Sequence, residues 1–388
     1  MTTDRAALNH RALLYALHPD RDAFAQLVRA QAEQIDWTDV LDCADAHKVS
    51  ALVAARIEEC GAGGALGTEL RARVAQTRQM ATDRAAAAER SLAYLVDQFG
   101  RADISFFAVK GSLLSHHVYG EPSLRRFNDV DIVVRRCDVE RAERLLREQS
   151  FRPGGLTELL GKPQPKRGPG RDYAHRLARH FDAKRLAAFS WYEPANSGLT
   201  PVDLHWHIAP YRLRVSEDDV WQQTAPAVVA GTPILALNAP AALIHLALHA
   251  TTCLLNGFRL LHLCDVGWAA RRMAGQEDAV WRLAQQWRVE QHLALVFATV
   301  ERALGVQTTM ARSNGSGRAR LRPWQQRATS ARFLIESTGN ARRPLATRVS
   351  DELAWSLTMR CLRRNVVVAA AASSARLRLR FFRWRTGT

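Results

Sequence analysis

The sequence contains little cysteine and lysine and no long apolar run, and these absences narrow the class of protein. The most apolar run, Val366 to Ala375, reaches only half of the ~20 residues that cross a bilayer. The amino-terminal residues show neither the basic start nor the apolar segment of a secretory signal, and the 6 cysteines form no CxxC pair. Scattered cysteines favour reduced thiols over a zinc site or a disulfide framework. We therefore expect a cytoplasmic protein without a transmembrane segment.

Positive charge, in contrast, is abundant. The chain has 54 lysines and arginines against 38 acidic residues, which gives a net charge of +16. A basic surface attracts phosphates, so nucleotides, nucleic acid and anionic lipid are candidate partners. Only 5 of the basic residues are lysines, and such a bias towards arginine beside abundant alanine also results from genomic base composition. The charge alone leaves both interpretations open.

The order of periodic segments predicts an α+β protein. Residues 6–101 show the apolar spacing of helices, whereas Ile104–Val109, Val130–Val134 and 200–207 have the pattern of strands. Helical spacing returns from 217 to 304. The expected fold is a small mixed sheet flanked by N-terminal and C-terminal helical regions. The expected domains are 1–101 (N-terminal helical region), 102–212 (αβ core), 213–312 (helical domain) and 313–388 (linker and basic C-terminal helical or tail region).

Two basic segments stand apart from these elements. Residues 154–171 are rich in glycine, proline, lysine and arginine, a composition that forms no core. Residues 376–385 alternate arginine with leucine, phenylalanine and tryptophan, which suits RNA or an anionic lipid surface. Each segment also has a simpler interpretation, namely a solvated insertion and a disordered terminus. Nucleic acid is therefore a candidate partner through this basic loop and tail.

Three aspartates lie on two of the predicted strands. Asp129 and Asp131 are two residues apart at the start of one strand, so their side chains share a face. Asp203 lies on the strand 200–207 and shares a face with His205. Transfer of a nucleotidyl group needs a divalent metal and converging carboxylates rather than covalent help from the protein. If the strands are neighbours, these residues predict a site for Mg²⁺ or Mn²⁺, since hard oxygen ligands without cysteine disfavour zinc.

A glycine turn precedes the aspartates. The strand that ends at Val109 continues into Lys110-Gly111-Ser112 and then into a helix predicted to end at Tyr119. Backbone N–H groups at the start of a helix face anions, and glycine permits close approach to a phosphate. A lone Asp-x-Asp pair is more often a turn or surface feature. The order of glycine turn, Asp-x-Asp strand and a later strand with a third aspartate is much more specific.

The stretch Phe107–Val134 resembles the DNA polymerase β-like nucleotidyltransferase superfamily, whose pattern is a glycine turn, an acidic pair and a third acidic residue on a later strand. More narrowly, residues from about 20 to 300 resemble the bacterial "uncharacterised nucleotidyltransferase" family. The residues that carry this resemblance are Lys110-Gly111, Tyr119, Arg125, Asp129-Val130-Asp131, Val202–Trp206, Ala247–His249 and Leu263–Val266. The loop 154–171 and the chain beyond Gly305 lie outside the pattern, and Asn128 replaces a frequent glycine.

The resemblance implies a nucleotidyltransferase core in which Asp129, Asp131 and Asp203 bind metal and Gly111-Ser112 contacts a nucleoside triphosphate. The implied reaction moves a nucleoside monophosphate to an acceptor and releases pyrophosphate, with Asp203 expected to activate the acceptor. The acceptor stays open: a small molecule, a peptide or protein, or a natural-product intermediate. The alternative is a catalytically silent nucleotide- or nucleic-acid-binding or antitoxin-like protein on the same fold. Three converging carboxylates favour the enzyme, because a binding module has no need of them.

Other polar residues are candidates for supporting roles. Lys110 and Arg125 are expected to contact phosphates, and Arg125 equally to orient the metal site by pairing with an aspartate. His205 is a candidate to contact the substrate or support a metal ligand, or else a histidine bonded at the edge of the core. His249 and Asp265, on predicted helices, are candidates for the acceptor pocket.

Overall fold

The structure, a computed structural model, describes residues 2–153, 189–195, 198–208, 213, 215–252 and 259–311. The basic loop 154–171 and the linker and tail from 313 onwards lie outside the described residues. Two compact units divide the chain. The helical unit takes its described residues from Met1–Arg78, Leu246–Gln285 and Val289 onwards, and the sheet unit takes them from Gln79–His245 and Gln286–Arg288. The division into four regions stays a prediction.

The described elements mix helices and strands, as expected for an α+β protein. In chain order, the helices are α1 (Thr2–Leu17), α2 (Asp22–Gln31), α3 (Trp37–Ala46), α4 (Ser50–Glu59), α5 (Thr68–Arg101), α6 (Gly111–Leu114), α7 (Val139–Glu148), α8 (Glu217–Trp221), α9 (Ala239–Thr252), α10 (Leu260–Arg272), α11 (Glu277–Gln286) and α12 (Glu290–Leu304). The strands are β1 (Phe106–Val109), β2 (Val130–Val134), β3 (Phe151–Pro153), β4 (Phe189–Pro194), β5 (Val202–His205), β6 (Thr224–Val229) and β7 (Thr232–Leu237).

The first helices form where the apolar spacing predicts them. On α2, Phe24, Leu27 and Val28 are buried, at the three- and four-residue spacing of one helix face. α3 begins after Asp36, whose carboxylate accepts a hydrogen bond from the backbone N–H of Asp39. Among the helices that the structure describes, none combines the length and the apolar character that a bilayer crossing needs.

The described strands form one mixed sheet in the order β3-β4-β5-β2-β1-β7-β6. The middle strand, β2, is antiparallel to β1 and parallel to β5. β1 also pairs in parallel with β7. Every residue of β2 is buried, and neighbouring strands pair with both of its edges. The centre of the sheet is therefore where side chains are held most firmly.

One face of the sheet packs against α5 and α7. Val130, Ile132 and Val134 of β2 point into this apolar core, where they join Leu92 of α5 and Leu146 of α7. Full burial of such a side chain stabilises the fold by about 1.5–3 kcal/mol, and a shift of one residue would expose the whole set. Since successive residues of a strand point to opposite faces, the core places Asp131 on the other face of the sheet.

The prediction of continuous helical structure from 217 to 304 is wrong between Thr224 and Leu237, where β6 and β7 form an antiparallel hairpin. Its two-residue loop, Ala230-Gly231, has φ angles of 48° and 79°, the positive values that tight hairpin turns require. Pro226 and Pro233 lie inside the two strands and would interrupt a helix. The surrounding alanine and leucine, which favour helices, hid this signal.

Candidate metal centre

Asp131 and Asp203 lie side by side on the face of the sheet opposite the apolar core. They are register partners on the neighbouring parallel strands β2 and β5, and register partners point to the same face. Their side chains are only 6% and 15% exposed. The sequence predicts a metal site only if the strands that carry these aspartates are neighbours. The structure shows that they are, so the two carboxylates lie close together.

His205 lies two residues beyond Asp203 on β5, and its ring contacts both carboxylates. The Nε2 atom lies 3.1 Å from Asp131 Oδ1 and 3.2 Å from Asp203 Oδ2. The ligand atoms of the three side chains lie within 4.8 Å of one another. We call Asp131, Asp203 and His205 the metal-centre group. The spacing of two along β5 puts Asp203 and His205 on one face, and the pairing with β2 adds Asp131.

The glycine turn after β1 brings a cation to this group. Lys110 has φ 53° and ψ −140°, a backbone conformation that a residue with a side chain adopts only at a cost of about 1–3 kcal/mol. Its Nζ lies 2.6 Å from Asp131 Oδ1, and its side chain is 9% exposed. Water therefore reaches little of the ion pair between Lys110 and Asp131. The strained turn directs Lys110 towards the carboxylates instead of along the strand.

The charges of the group shift its ionisation. Burial alone would raise the pKa of Asp131, but Lys110 and His205 hold it below its usual range. Burial would lower the pKa of His205, yet the carboxylates of Asp203 and Asp131 outweigh it and raise the pKa to about 9. Burial would also lower the pKa of Lys110. The negative charges of Asp131 and Asp203 outweigh burial, so the pKa of Lys110 lies above its ordinary value. The carboxylate of Asp131 is therefore held in its ionised form.

Asp129 and Arg125 lie in the segment that leads into β2. Burial and the negative charge of Asp131 raise the pKa of Asp129 to about 6, and the charges of Lys110 and Arg125 oppose that rise. Arg125 is buried, 7% exposed. Asp129 directly precedes β2 and is half-buried, and its effect on the metal-centre group is repulsion between like charges.

The residues of this group fit a divalent cation. Asp203 Oδ1 is buried and receives no hydrogen bond from any residue that the structure describes. A buried carboxylate oxygen without a partner costs about 1–3 kcal/mol, which a bound cation would offset. Carboxylate oxygens are the preferred ligands of Mg²⁺ and Mn²⁺. Asp131 and Asp203 would hold the ion from neighbouring strands.

Gly111 and Ser112 are the first two residues of α6 and follow Lys110 directly. Gly111 has φ 41°, and a Cβ atom there would lie 3.5 Å from the backbone oxygen of Asp129. Ser112 is buried, 6% exposed. The helix predicted up to Tyr119 is α-helical only to Leu114 and continues as a π-helical turn to Tyr119. The positive φ angle explains why glycine occupies position 111, because a Cβ atom there would make only an ordinary contact with Asp129.

Two candidates for acceptor contact, His249 and Asp265, belong to the helical unit. The ring of His249 packs edge-on against His262, with 4.7 Å between ring centroids, and Asp265 is buried on α10. Their role towards an acceptor stays a prediction. The sheet unit contains another histidine, His245 of α9. Its Nδ1 lies 3.0 Å from the backbone oxygen of Ile208.

His245 is not among the predicted site residues, and in the structure the charges of Lys110, His205 and Asp131 act on it. Burial, together with the positive charge of Lys110, lowers the pKa of His245 to about 3, so the ring is neutral beside the charged group. At the sequence level the only signal was its spacing of four from His249, which equally describes one face of a buried helix. The effect of Lys110 on the pKa of His245 depends on the fold, and no sequence pattern predicts it.

The fold and the site define an α+β protein whose central strands present a carboxylate centre suited to a divalent metal. The chain belongs to the family described as "Uncharacterised nucleotidyltransferase", whose family model matches residues 33–305. The protein is thus a member of a transferase family with a nucleotide substrate. No curated protein and no solved structure matches the chain.

Proposed function

We propose that the protein transfers a nucleoside monophosphate from a nucleoside triphosphate to an acceptor and releases pyrophosphate. Membership of a nucleotidyltransferase family supports the reaction class. The observation that carries the proposal is the register pairing of Asp131 with Asp203, which leaves Asp203 Oδ1 buried and without a hydrogen-bond donor among the described residues. Folding alone gives no reason for such an arrangement, and metal-dependent transfer does.

Asp129, Asp131 and Asp203 are the proposed metal ligands. A bound divalent cation would neutralise the charge of the phosphate oxygens and help to place them for displacement. Asp131 and Asp203 offer oxygens from the same face of the sheet, and Asp129 lies two residues before Asp131, directly before β2. The half-buried Asp129 lies next to the entrance of the strand, so its carboxylate is the one available to a metal that arrives with the nucleotide.

Gly111, Ser112 and Lys110 are the proposed contacts of the triphosphate. Without a Cβ atom, Gly111 allows phosphate oxygens to approach the backbone N–H groups of the turn. Lys110 Nζ, which contacts Asp131, is close enough to the carboxylates to reach a phosphate held there through metal. Arg125 supplies a further positive charge beside Asp129.

Asp203 is the proposed base for the acceptor. As a metal ligand that lies on a different strand from Asp129 and Asp131, Asp203 would lie beside an acceptor bound at the metal and could take the proton of its hydroxyl, amine or phosphate group. Loss of that proton makes the acceptor atom a better nucleophile, and the displaced pyrophosphate carries the negative charge away.

The test is an incubation of the full chain with each α-labelled nucleoside triphosphate, with Mg²⁺ or Mn²⁺ and with a cell lysate. We expect label to appear on an acceptor with the wild-type protein and not with Asp131→Asn. Asp218→Asn is the matched control, because Asp218 is an exposed aspartate, 80% exposed, that pairs with Arg135. Labelling by the wild type that never exceeds labelling by Asp131→Asn, with any triphosphate or metal, would overturn the proposal.

A further inference from the structure

We propose that His205 Nε2 is a protein ligand of the metal that Asp131 and Asp203 hold, so that the site prefers a manganese-class cation to magnesium. This inference rests on the proposed function and adds a nitrogen ligand to its all-carboxylate metal site. His205 is 15% exposed and lies on the same strand face as Asp203. Its Nε2 contacts one oxygen of each aspartate, and no other described histidine shares this position.

The distances match those between neighbouring ligands of one ion. In an octahedral shell with bonds of about 2.1 Å, adjacent ligand atoms lie about 3 Å apart, which is the bond length multiplied by √2. His205 Nε2 lies 3.1 Å from Asp131 Oδ1 and 3.2 Å from Asp203 Oδ2. Two of the three edges of one face of such a shell thus already have the expected length, and the ligand atoms of the three side chains all lie within 4.8 Å of one another. A single cation could bind all three side chains from the two neighbouring strands.

An ion pair between a histidine cation and the aspartates is the competing role for His205. A dication held by Asp131 and Asp203 would repel an imidazolium about 3 Å away, because buried like charges interact strongly. A neutral imidazole, in contrast, directs a lone pair from Nε2 at the same point. Binding of the metal would therefore displace the proton through which His205 Nε2 contacts Asp131 and Asp203.

A nitrogen ligand changes which metal binds best. Mg²⁺ prefers oxygen and keeps several of its waters, whereas affinity for imidazole increases along the first-row transition metals. A site with two carboxylates and one imidazole thus retains the oxygen ligands that suit Mn²⁺ and penalises Mg²⁺. Nucleotide transfer supported by Mn²⁺ at lower concentration than Mg²⁺ follows from this composition.

The decisive measurement is the electron paramagnetic resonance of Mn²⁺ bound to the full chain, with echo modulation used to detect a directly bonded ¹⁴N nucleus. We expect ¹⁴N coupling in the wild type and its loss in His205→Gln. His207→Gln is the matched control, since His207 lies two residues further on and its Nε2 lies 2.9 Å from the backbone oxygen of Val215. This control should keep the coupling.

Each alternative result has a defined meaning. Bound Mn²⁺ without ¹⁴N coupling, or coupling that persists in His205→Gln, overturns the role of His205 and leaves the carboxylate site of the proposed function intact. Failure of the wild type to bind Mn²⁺ more tightly than Asp131→Asn overturns both proposals together. The two failures are therefore distinguishable in one set of samples.

A second variant protects the test against simple misfolding. His205→Asp converts the group to three carboxylates, and titration of both metals should then show a lower ratio of Mn²⁺ to Mg²⁺ affinity. Since loss of even an outer partner of a metal ligand costs about 10–100-fold in affinity, we expect the ratio to fall by at least about tenfold. An unchanged ratio in a variant that binds metal would contradict the inference.

Discussion

In the helical unit the buried Arg56 pairs with an opposite charge, whereas in the sheet unit two aspartates, Asp131 and Asp203, lie side by side. Arg56 is 1% exposed and lies 2.7 Å from Glu59, and its guanidinium packs over the ring of Trp268 at 5.6 Å. Asp131 and Asp203 are paired in register, and Asp129 precedes them with its pKa raised to about 6, by burial and then by Asp131. The charge of Arg56 is thus paired within its own unit, although its Nε has no hydrogen-bond partner among the described residues, whereas the paired aspartates leave a buried carboxylate oxygen, Asp203 Oδ1, that a cation could bind.

The difference separates a structural charge from a functional one. A buried charge without an opposite partner is strongly destabilising, so a buried arginine with its own glutamate needs no ligand to explain it. Carboxylates that repel one another reduce stability, and such arrangements cluster at functional sites. Lys110 and His205 offset part of the repulsion, but Asp203 Oδ1 keeps a buried lone pair without a donor among the described residues.

The largest effect is expected for Asp203→Asn. Nucleotide transfer should fall by about 10²–10³-fold, the usual loss when one electrostatic contact of a transition state is removed. The midpoint of urea unfolding should change little, because the amide has the same shape and relieves repulsion from Asp131. Steady-state transfer of α-label and urea titration measure the two quantities. A variant that keeps more than about a tenth of the wild-type rate would remove Asp203 from the mechanism.

The converse result is expected for Arg56→Ala. Removal of this buried side chain should lower the free energy of unfolding by about 2–4 kcal/mol, while transfer per folded molecule stays at the wild-type level. Arg21→Ala is the matched control, since Arg21 contacts the same Glu59 at 3.1 Å but is 61% exposed. Its loss should cost less than about 1 kcal/mol. Equal losses for the two variants would mean that burial does not distinguish these ion pairs.

A smaller effect is expected from the strained backbone of Lys110. With φ at 53°, Lys110→Gly should be more stable than Lys110→Ala by about 1–2 kcal/mol, because only glycine adopts this conformation without strain. Both variants lose the ion pair with Asp131, so the comparison isolates the backbone. Thermal or chemical unfolding of the two variants gives the difference. Equal stability would show that the turn relaxes when the side chain is removed.

The smallest effect is expected in the β6–β7 hairpin. Gly231 has φ 79° and open space where a Cβ atom would lie, so Gly231→Ala should cost about 1 kcal/mol through backbone conformation alone. Gly100→Ala, with equally open space but inside helix α5, should instead stabilise by about 0.5–1 kcal/mol. Neither variant should alter transfer. If both substitutions changed the free energy of unfolding in the same direction, the result would contradict the backbone conformations described at these two positions.

The sequence predicts the elements of the site better than their contacts. β1 ends at Val109 and β2 spans Val130–Val134 as expected, because short buried runs bounded by glycine and aspartate are a strong local signal. The hairpin was missed because its alanine and leucine favour helix more than its turn favours strand. The correct prediction of β1 and β2 and the wrong prediction at the hairpin have the same cause, which is how strongly the local sequence favours a strand or a helix.

Contacts between strands have no such local pattern. The meeting of Asp131 with Asp203 requires the pairing of β2 with β5, and many strand orders are compatible with the same sequence. The approach of Lys110 to Asp131 depends on a strained turn, which no propensity favours. His205 could be placed beside Asp203 from strand spacing, yet its contact with Asp131 follows only from the register.

The most direct test of the central claim is anomalous diffraction from crystals of the full chain grown with Mn²⁺ and a non-hydrolysable nucleoside triphosphate. We predict a manganese peak bonded to carboxylate oxygens of Asp131 and Asp203, with the triphosphate beside Gly111 and Ser112. Manganese and nucleotide bound elsewhere, with Asp131 and Asp203 contacting neither, would contradict the account.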